Sequence, residues 1–373
     1  MKKLINRLLE CHDPPWDFAK YMKVALYDPA VGYYMKPEVK LGYKGDFYTS
    51  NHVHPVFAET LTHYFMTVIE TQRLSPFICE WGAGDGQFAN YALSFLQNNF
   101  PDFYEKITYI ILETSPYHRK VIERKLQSHK KKTILYSSFT ELTKSILSFE
   151  GIVFSNELID AFPVHRVKKT ASGLQEIKVD LQNNQLKEIT VPCENRDIIN
   201  WLDTYGPKLP EGYSTEVNLA LKEWMNQIRS WLSKGLLVTI DYGYRNDELV
   251  QPQRKDGSIR GYKNHKLVTN PLKEPGEMDL TAHVAWDAFN QLAGELGFST
   301  SYHGSQEQFL IKAGILTFLD PTAHLKPFSK EFKKNQAIQS LLHPAGMSAY
   351  FQVNTQSLSL KNLNNLFQHL SHS

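Results

Sequence analysis

The sequence predicts an α/β protein with a doubly wound parallel sheet. Short apolar runs of strand length alternate with helical segments from Phe77 onward. The first run ends in a turn with the sequence Glu80-Trp81-Gly82-Ala83-Gly84-Asp85-Gly86, which leads into an amphipathic segment. A strand, a glycine turn and a helix in this order bring backbone N–H groups and a helix N-terminus against a nucleotide-like ligand.

Five predicted strands form the centre of this sheet, at residues 77–81, 107–113, 133–136, 151–155 and 236–241. Helices are expected at about residues 87–98 and after Pro116, a residue suited to the first turn of a helix. Near the end of the chain, we expect a helix after Asp279 and two strands at residues 298–303 and 347–355.

The pattern divides the chain into three regions. Residues 1–75 form an N-terminal helical region, and residues 76–163 with 235–373 form the sheet core. Residues 164–234 form an insertion between strands four and five, with polar–apolar alternation typical of hairpins followed by a helix. Residues 244–278 are rich in Lys, Arg, Gly and Pro, which predicts a long irregular loop.

The composition argues against several classes of partner. With 41 Lys and Arg against 39 Asp and Glu, the net charge of +2 does not favour nucleic acid or an anionic membrane. No apolar stretch reaches the roughly 20 residues that a membrane span needs. Three widely separated cysteines have no metal-site spacing and favour a reducing compartment, so we expect a cytoplasmic protein without a metal.

The glycine turn is the first candidate ligand site. Its spacing is Glu-x-Gly-x-Gly-x-Gly through Glu80, Gly82, Gly84 and Gly86, whereas dinucleotide-binding turns have G-x-G-x-x-G. An acid at the strand end suits S-adenosylmethionine, because this ligand carries an ammonium and a sulfonium and no phosphate. The alternative is a glycine turn that serves packing alone.

Further candidates follow the other strands, because parallel strands place their carboxyl ends at one edge of a sheet. Glu113 ends the second strand, where a carboxylate can accept both ribose hydroxyls of a nucleoside; otherwise it is an exposed strand-end acid. Asn156 follows the fourth strand and is a further candidate for cofactor binding.

Two carboxylates close behind the fourth strand are candidate catalytic residues. Glu157 and Asp160 are three residues apart and could bind a guanidinium through charge-assisted hydrogen bonds. The alternative is that the segment only closes a turn before Pro163. His283 is a candidate base, although Asp279 or Thr281 resembles a helix N-cap and would then place His283 in a structural first turn.

Taken together, these motifs resemble the MidA family of S-adenosylmethionine-dependent methyltransferases, which includes mitochondrial complex I assembly factors and many bacterial proteins. The matching blocks lie along nearly the whole chain: Gly32-Tyr33-Tyr34, Gly45-Asp46-Phe47-Tyr48-Thr49-Ser50, Glu80 to Gly86, Leu112-Glu113-Thr114-Ser115-Pro116, Asn156 to Pro163, Ile240-Asp241-Tyr242-Gly243-Tyr244 and Asp279-Leu280-Thr281-Ala282-His283.

The resemblance implies a seven-stranded Rossmann-like class I methyltransferase sheet whose last strand, at residues 347–355, is antiparallel. It implies that residues 45–50 cover the cofactor, with Gly45, Asp46 and Thr49 among the binding residues. It also implies S-adenosyl-L-methionine as cofactor and a protein arginine as the methyl acceptor.

Two alternatives stay open beside the methyltransferase. One is a factor that binds S-adenosylmethionine and assists assembly with little turnover, and the other is a nicotinamide-dependent oxidoreductase. We expect a protein substrate, no nucleic acid and no membrane insertion, and the hairpin insertion offers an edge for a homodimer.

Overall fold

The computed structural model describes residues 2–38, 40, 54–322, 324, 327–343, 350–361, 363 and 367. These residues form two compact units. The hairpin unit contains the described residues up to 40 with Leu158–Asn226 and Tyr242–Glu295, and the sheet unit contains residues 54–157, Gln227–Asp241 and the described residues from Leu296 onward. The three-region division of the chain stays a prediction.

The described strands are β1 (Trp16–Asp17), β2 (Phe77–Trp81), β3 (Thr108–Leu112), β4 (Thr133–Tyr136), β5 (Phe149–Asn156), β6 (His165–Thr170), β7 (Gly173–Gln182), β8 (Gln185–Pro192), β9 (Ser214–Val217), β10 (Leu232–Tyr244), β11 (Arg260–Lys263), β12 (Lys266–Val268), β13 (Asp279–Thr281), β14 (Val284–Ala285), β15 (Ser299–Ser305) and β16 (Phe351–Leu358).

The described helices are α1 (Lys2–Cys11), α2 (Phe18–Tyr27), α3 (Val56–Gln72), α4 (Gln87–Asn99), α5 (Pro101–Tyr104), α6 (Pro116–Lys125), α7 (Phe139–Ser145), α8 (Arg196–Tyr205), α9 (Leu219–Trp231), α10 (Asn246–Leu249), α11 (Trp286–Glu295), α12 (Gln306–Lys312) and α13 (Lys330–Leu342). Single 3-10 turns lie at Tyr33–Met35, Gln127–His129, Ile159–Ala161, Pro252–Arg254 and Ile315–Phe318.

The sheet unit confirms the predicted fold class. Seven strands lie in the order β15-β16-β10-β5-β2-β3-β4. The neighbours β10, β5, β2, β3 and β4 are parallel, and β16 is antiparallel to β15. The strand order reverses at β2, with β3 and β4 on one side of it and β5 and β10 on the other. The carboxyl ends of β2, β3 and β5 therefore lie side by side, at the edge where such sheets bind ligands.

The central strands read as continuous apolar runs because helices cover both faces of a parallel sheet. The last four residues of β2 and of β3 are buried. Phe154 on β5 packs with its ring centroid 4.5 Å from that of Phe88 on α4 and 5.3 Å from that of Phe65 on α3. This packing holds the strand ends that carry the candidate site.

The hairpin unit contains two smaller sheets. One has the order β1-β7-β6-β9 with β8 paired to β7, which confirms the predicted hairpins in the insertion, and the other has the order β12-β11-β13. The prediction of an irregular loop over residues 244–278 is therefore wrong in part. Its β11–β12 hairpin turns through Asn264 and His265 at φ values of 50° and 60°, without the Asn-Gly signal that marks such turns in a sequence.

The prediction of a helix directly after Asp279 is also wrong. Asp279 and Thr281 belong to β13, where Asp279 pairs with Tyr262 of β11, and the helix begins only at Trp286. Neither residue caps a helix. The two last strands are confirmed at Ser299–Ser305 and Phe351–Leu358, and residues 347–349 of the second prediction lie outside the described residues.

Neither a membrane span nor a metal cluster is found in the described residues. None of their helices has the length and apolar character to cross a membrane. The same residues contain no group of three or more His, Cys, Asp or Glu side chains that could hold a metal ion.

Candidate functional site

The glycine turn after β2 has a backbone that only glycine adopts at low cost. Gly82, Gly84 and Gly86 have φ values of 77°, 54° and 73°. A β-carbon at Gly86 would also lie 2.9 Å from Cγ1 of Ile122 on α6. Because these three positions have no β-carbon, a ligand can approach the backbone of the turn and the first residues of α4 closely.

Glu113 is bonded to this turn at the end of β3. One carboxylate oxygen accepts from the N–H of Gly84 at 3.0 Å, and the other accepts from the N–H of Ser115 at 2.8 Å. A carboxylate has about four lone-pair sites, so the group can also accept hydrogen bonds from ribose hydroxyls. Burial raises the pKa of Glu113 to about 7, against the lowering effect of these two hydrogen bonds.

Glu80 at the end of β2 is a second buried carboxyl. It is 3% exposed and accepts a hydrogen bond from the hydroxyl of Tyr109 at 2.8 Å. Burial raises the pKa of Glu80 to about 8, and the charges of Asp85 and Glu113 add to the rise. A cationic ligand would favour the ionised form, as the ammonium and sulfonium of S-adenosylmethionine do.

Asn156 ends β5 with an unsatisfied acceptor. Its Nδ2 donates to Oε1 of Glu157 at 2.9 Å, but its buried Oδ1 has no hydrogen-bond partner among the described residues. An unpaired buried acceptor costs roughly 1–3 kcal/mol, so such atoms in native structures call for an explanation. A donor from a bound ligand would satisfy it, and the ammonium of S-adenosylmethionine is such a donor.

Glu157 has an unusual backbone at the point where the chain leaves the sheet unit. Its φ is 53°, in the left-handed region, and its N–H donates to the carbonyl of Ile240 at 2.9 Å. A non-glycine residue in this region stores strain of about 1–3 kcal/mol, and such residues cluster at functional sites.

We expect Glu157→Gly to leave the free energy of unfolding unchanged or raise it by up to about 1 kcal/mol, because glycine adopts this backbone without strain. Glu157→Ile should lower it by about 2–3 kcal/mol. Denaturant unfolding measures both. Arg73→Gly is the matched control, since Arg73 has a φ of 51° at the end of α3. A loss above 1 kcal/mol in Glu157→Gly would contradict the strain argument.

Asp160 lies in the hairpin unit, in the 3-10 turn Ile159–Ala161. It is 5% exposed, and its backbone carbonyl accepts from the N–H of Ala282 at 2.8 Å. The phenol of Tyr34 donates to Oδ1 of Asp279 at 2.6 Å. Burial raises the pKa of Tyr34 well above its usual range, and the charges of Asp279 and Asp160 act in the same direction. Two carboxylates thus act on one buried phenol.

His283 is neutral in this structure. Burial lowers its pKa to about 3, and the charges of Arg260 and Arg254 act in the same direction. Its ring makes an edge-to-face contact with Tyr244, with centroids 4.8 Å apart. Its Nδ1 has no hydrogen-bond partner among the described residues. The imidazole is therefore a weak base, and its buried Nδ1 can accept a hydrogen bond in the tautomer that carries the proton on Nε2.

The structure thus groups the predicted residues in two sets, one in each unit. In the sheet unit, Glu113 is bonded to the turn at Gly84, and Asn156 is bonded to Glu157. In the hairpin unit, the backbone of Asp160 contacts the segment that leads to His283. Gly45, Asp46 and Thr49 lie outside the described residues.

Sequence reasoning missed the roles of three residues in these sets. They are Tyr109, which donates a hydrogen bond to Glu80, and the pair Tyr34 and Asp279, in which the phenol donates to the carboxylate. A tyrosine inside an otherwise aliphatic strand, as at Tyr109, was a usable signal, because a buried phenol needs a partner. Tyr34 and Asp279 stand 245 positions apart and gave no local signal.

A doubly wound sheet with β16 antiparallel to β15, a glycine turn after β2 and an acid at the end of β3 defines a class I methyltransferase fold. A family model described as "Putative S-adenosyl-L-methionine-dependent methyltransferase" matches residues 60–303. The chain belongs to this family, which confirms the resemblance to MidA proteins. It is a methyltransferase whose cofactor is S-adenosyl-L-methionine.

Individual similar proteins align with more of the chain than residues 60–303. The chain is 26% identical to Protein arginine methyltransferase NDUFAF7, mitochondrial, of Xenopus tropicalis over 81% of its length and 72% of the relative's. The identically named protein of Danio rerio is 25% identical over 91% and 82%. A crystal structure from Burkholderia thailandensis bound to S-adenosyl-homocysteine superimposes with a TM-score of 0.82 and 27% identity, covering 93% of this chain and 89% of that one.

The prediction of a cytoplasmic protein is wrong by this comparison, because the two relatives are named as mitochondrial. Cysteine usage was the basis of that prediction. Cys11, Cys79 and Cys193 are all unpaired. Unpaired cysteines argue against a disulfide framework, but they do not distinguish one reducing compartment from another.

Proposed function

We propose that this protein methylates an arginine side chain of a protein substrate. The observation that carries the proposal is the buried carboxylate of Asp160. This residue lies three positions beyond Glu157, whose backbone has a positive φ. The charges of Asp160 and Asp279 both raise the pKa of Tyr34. A carboxylate can bind a guanidinium through paired charge-assisted hydrogen bonds, so these acids suit an arginine side chain. The names of the relatives support a protein arginine as acceptor.

In this proposal, Glu80, Gly82, Gly84, Gly86, Glu113 and Asn156 hold the cofactor, with Gly45, Asp46 and Thr49 as further candidates. Bound S-adenosylmethionine supplies an activated methyl group, and its transfer leaves the electron pair of the broken carbon–sulfur bond on sulfur. Glu113 would accept from the ribose hydroxyls. Glu80 and the carbonyl oxygen of Asn156 would face the cationic end.

The acceptor residues have to orient a weak nucleophile. A guanidinium has a pKa above 12 and no free lone pair, so its nitrogens attack poorly. Glu157 and Asp160 would accept hydrogen bonds from its N–H groups, which would localise the positive charge on one nitrogen and leave another more nucleophilic. The attacking nitrogen loses one proton once the new carbon–nitrogen bond has formed, and one of the two carboxylates would take that proton, directly or through a water molecule.

His283 enters the proposal as a hydrogen-bond acceptor. With a pKa of about 3, its imidazole would hold a proton too weakly to serve as the general base. The unpaired Nδ1 can accept an N–H of the guanidinium instead. In this proposal His283 therefore stays in the site as a hydrogen-bond acceptor and not as the base predicted from the sequence.

We expect Asp160→Asn and Glu157→Gln each to lower turnover by about 10²–10³, because each removes an oriented charge from the acceptor. The affinity for S-adenosylmethionine should change by less than about threefold. The assay follows transfer of labelled methyl groups to protein extract from cells that lack this protein, with amino-acid analysis for methylarginine. Asp203→Asn, at an exposed position of α8, is the control.

Unchanged methylarginine formation in both variants would overturn the roles of these carboxylates. Labelled methyl groups on a different amino acid would overturn the arginine assignment. Tight binding of S-adenosylmethionine with no labelled protein would favour an assembly factor that binds the cofactor with little turnover.

A further inference from the structure

A wide cleft of the hairpin unit has a lining that does not include Asp160. It encloses about 810 Å³, within the range of roughly 300–1,000 Å³ typical of ligand sites. Its walls come from β8, from β12 with the residues that follow it, and from the segment Asp256–Arg260. Both polar and apolar residues line the cleft, so it is not a purely apolar pocket.

Two sheet edges border this cleft. β8 pairs only with β7 and β12 pairs only with β11, so in the described part of the chain each has one edge without a neighbouring strand. Leu186 and Glu188 of β8 and Leu267 of β12 line the cleft. Leu267 is 53% exposed, unusually open for a leucine. Unpaired strand edges bind extended peptides through backbone hydrogen bonds, with side-chain pockets giving specificity.

Among the side chains that line the cleft, three cations stand against two carboxylates. Arg166 is 7% exposed, is hydrogen-bonded to Glu188 and lies 3.8 Å from a carboxylate oxygen of Glu216, so its charge is compensated. Lys187 lies opposite Asp180 of β7 but makes no side-chain hydrogen bond or ion pair within the described residues. The Nε of Arg260 donates to the carbonyl of Ser258 at 3.0 Å. Asp256 is the second carboxylate of the lining.

One side chain joins the cleft to the candidate acceptor residues. Ser258 lines the cleft, and its hydroxyl accepts from the N–H of His283 at 3.0 Å. The same hydroxyl donates to Glu216 at 2.8 Å, and Glu216 also accepts from the N–H of Ile259 at 3.2 Å. The wall of the cleft is thus fixed to the segment that carries His283.

We propose that this cleft binds an extended segment of the protein substrate, with an acidic side chain next to the accepting arginine. The inference rests on the proposed function and names the local sequence that the enzyme selects. The segment adds as a strand to the edges of β8 and β12, and its acidic side chain meets Lys187 and Arg260. The excess of positive charge disfavours segments with basic flanks.

The test uses synthetic arginine-centred peptides with acidic, uncharged or basic flanks. Binding is measured by fluorescence anisotropy with S-adenosylhomocysteine present, and methylation is measured separately. We expect acidic flanks to bind about tenfold tighter than basic ones, and Lys187→Glu to reverse this preference. Backbone N-methylation beside the arginine should weaken binding about tenfold or more, because it removes strand hydrogen bonds. Lys130→Glu, at an exposed position of the sheet unit, is the control.

Each result decides between the two proposals. Methylated peptides with no effect of Lys187→Glu or of N-methylation would overturn the cleft and leave the function standing. A preference that Lys187→Glu reverses, without methylation of any peptide, would support the cleft and overturn the function. Peptides that are neither bound nor methylated would overturn both.

Discussion

Glu113→Gln is expected to weaken binding of S-adenosylmethionine about 100-fold. The substitution keeps the size of the side chain but replaces one acceptor oxygen with an NH2 donor. Charge-assisted hydrogen bonds from two ribose hydroxyls, the proposed role of Glu113, would be worth about 1.5–3 kcal/mol each, and losing one of them corresponds to roughly this factor. The new NH2 group would also face a backbone N–H, either of Gly84 or of Ser115, and two donors cannot form a hydrogen bond with each other. Calorimetric titration with S-adenosylmethionine and S-adenosylhomocysteine measures the change.

The ribose contact can be separated from damage to the fold. Wild-type protein should lose affinity for a 2′-deoxy analogue of S-adenosylhomocysteine, whereas Glu113→Gln should discriminate little between the two ligands. Glu123→Gln, at an exposed position of α6, controls for loss of a carboxylate near the site. Equal discrimination by wild type and Glu113→Gln would show that Glu113 does not contact the ribose.

The sheet could be predicted from the sequence because its strands are buried on both faces. Such strands are short, continuous apolar runs, and glycine or proline marks the turns and helix starts between them. β2 and β4 were predicted with the bounds the structure has, and the flanking strands within a few residues. Ligands of such sheets bind beyond the carboxyl ends of the strands, so the same pattern predicts Glu113 and Asn156 as binding candidates.

The hairpin unit was harder to predict because tertiary contacts decide its local structure. β11, β12 and β13 have three or four residues each, too short for a periodic pattern to stand out. Asp279 looked like a helix cap because aspartate favours caps, but its pairing with β11 outweighs that preference. No sequence pattern indicated that Glu157 has a positive φ, since glutamate rarely adopts it.

The pKa of Glu80 leads to the second large effect. Its carboxyl has an ordinary pKa of 4.5 and a pKa of about 8 in the folded protein. The folded state therefore binds more protons than the unfolded state between these values. Stability supplied by the protonated form is fully present below pH 4.5 and is lost as pH rises through about 8. Glu113, with a pKa of about 7, adds a similar loss in a narrower window.

We expect Glu80→Gln to raise the stability of the ligand-free protein by about 2–4 kcal/mol above about pH 8, because a neutral amide replaces a buried charge. The same variant should bind S-adenosylmethionine about 10- to 100-fold more weakly, since it lacks a carboxylate for the cationic end of the cofactor. Thermal unfolding across pH measures the first effect, and calorimetric titration measures the second.

Protonation links the two effects. In wild-type protein below about pH 8, a cationic ligand that requires ionised Glu80 must release a proton on binding, so affinity should rise with pH by up to about tenfold per unit. Titrations in buffers of different ionisation enthalpy count that proton, and Glu80→Gln should release fewer. Glu70→Gln, exposed at the end of α3, should leave both curves unchanged. A variant that binds S-adenosylmethionine as wild type does, with the same proton release, would show that Glu80 serves the fold of the turn and does not contact the cofactor.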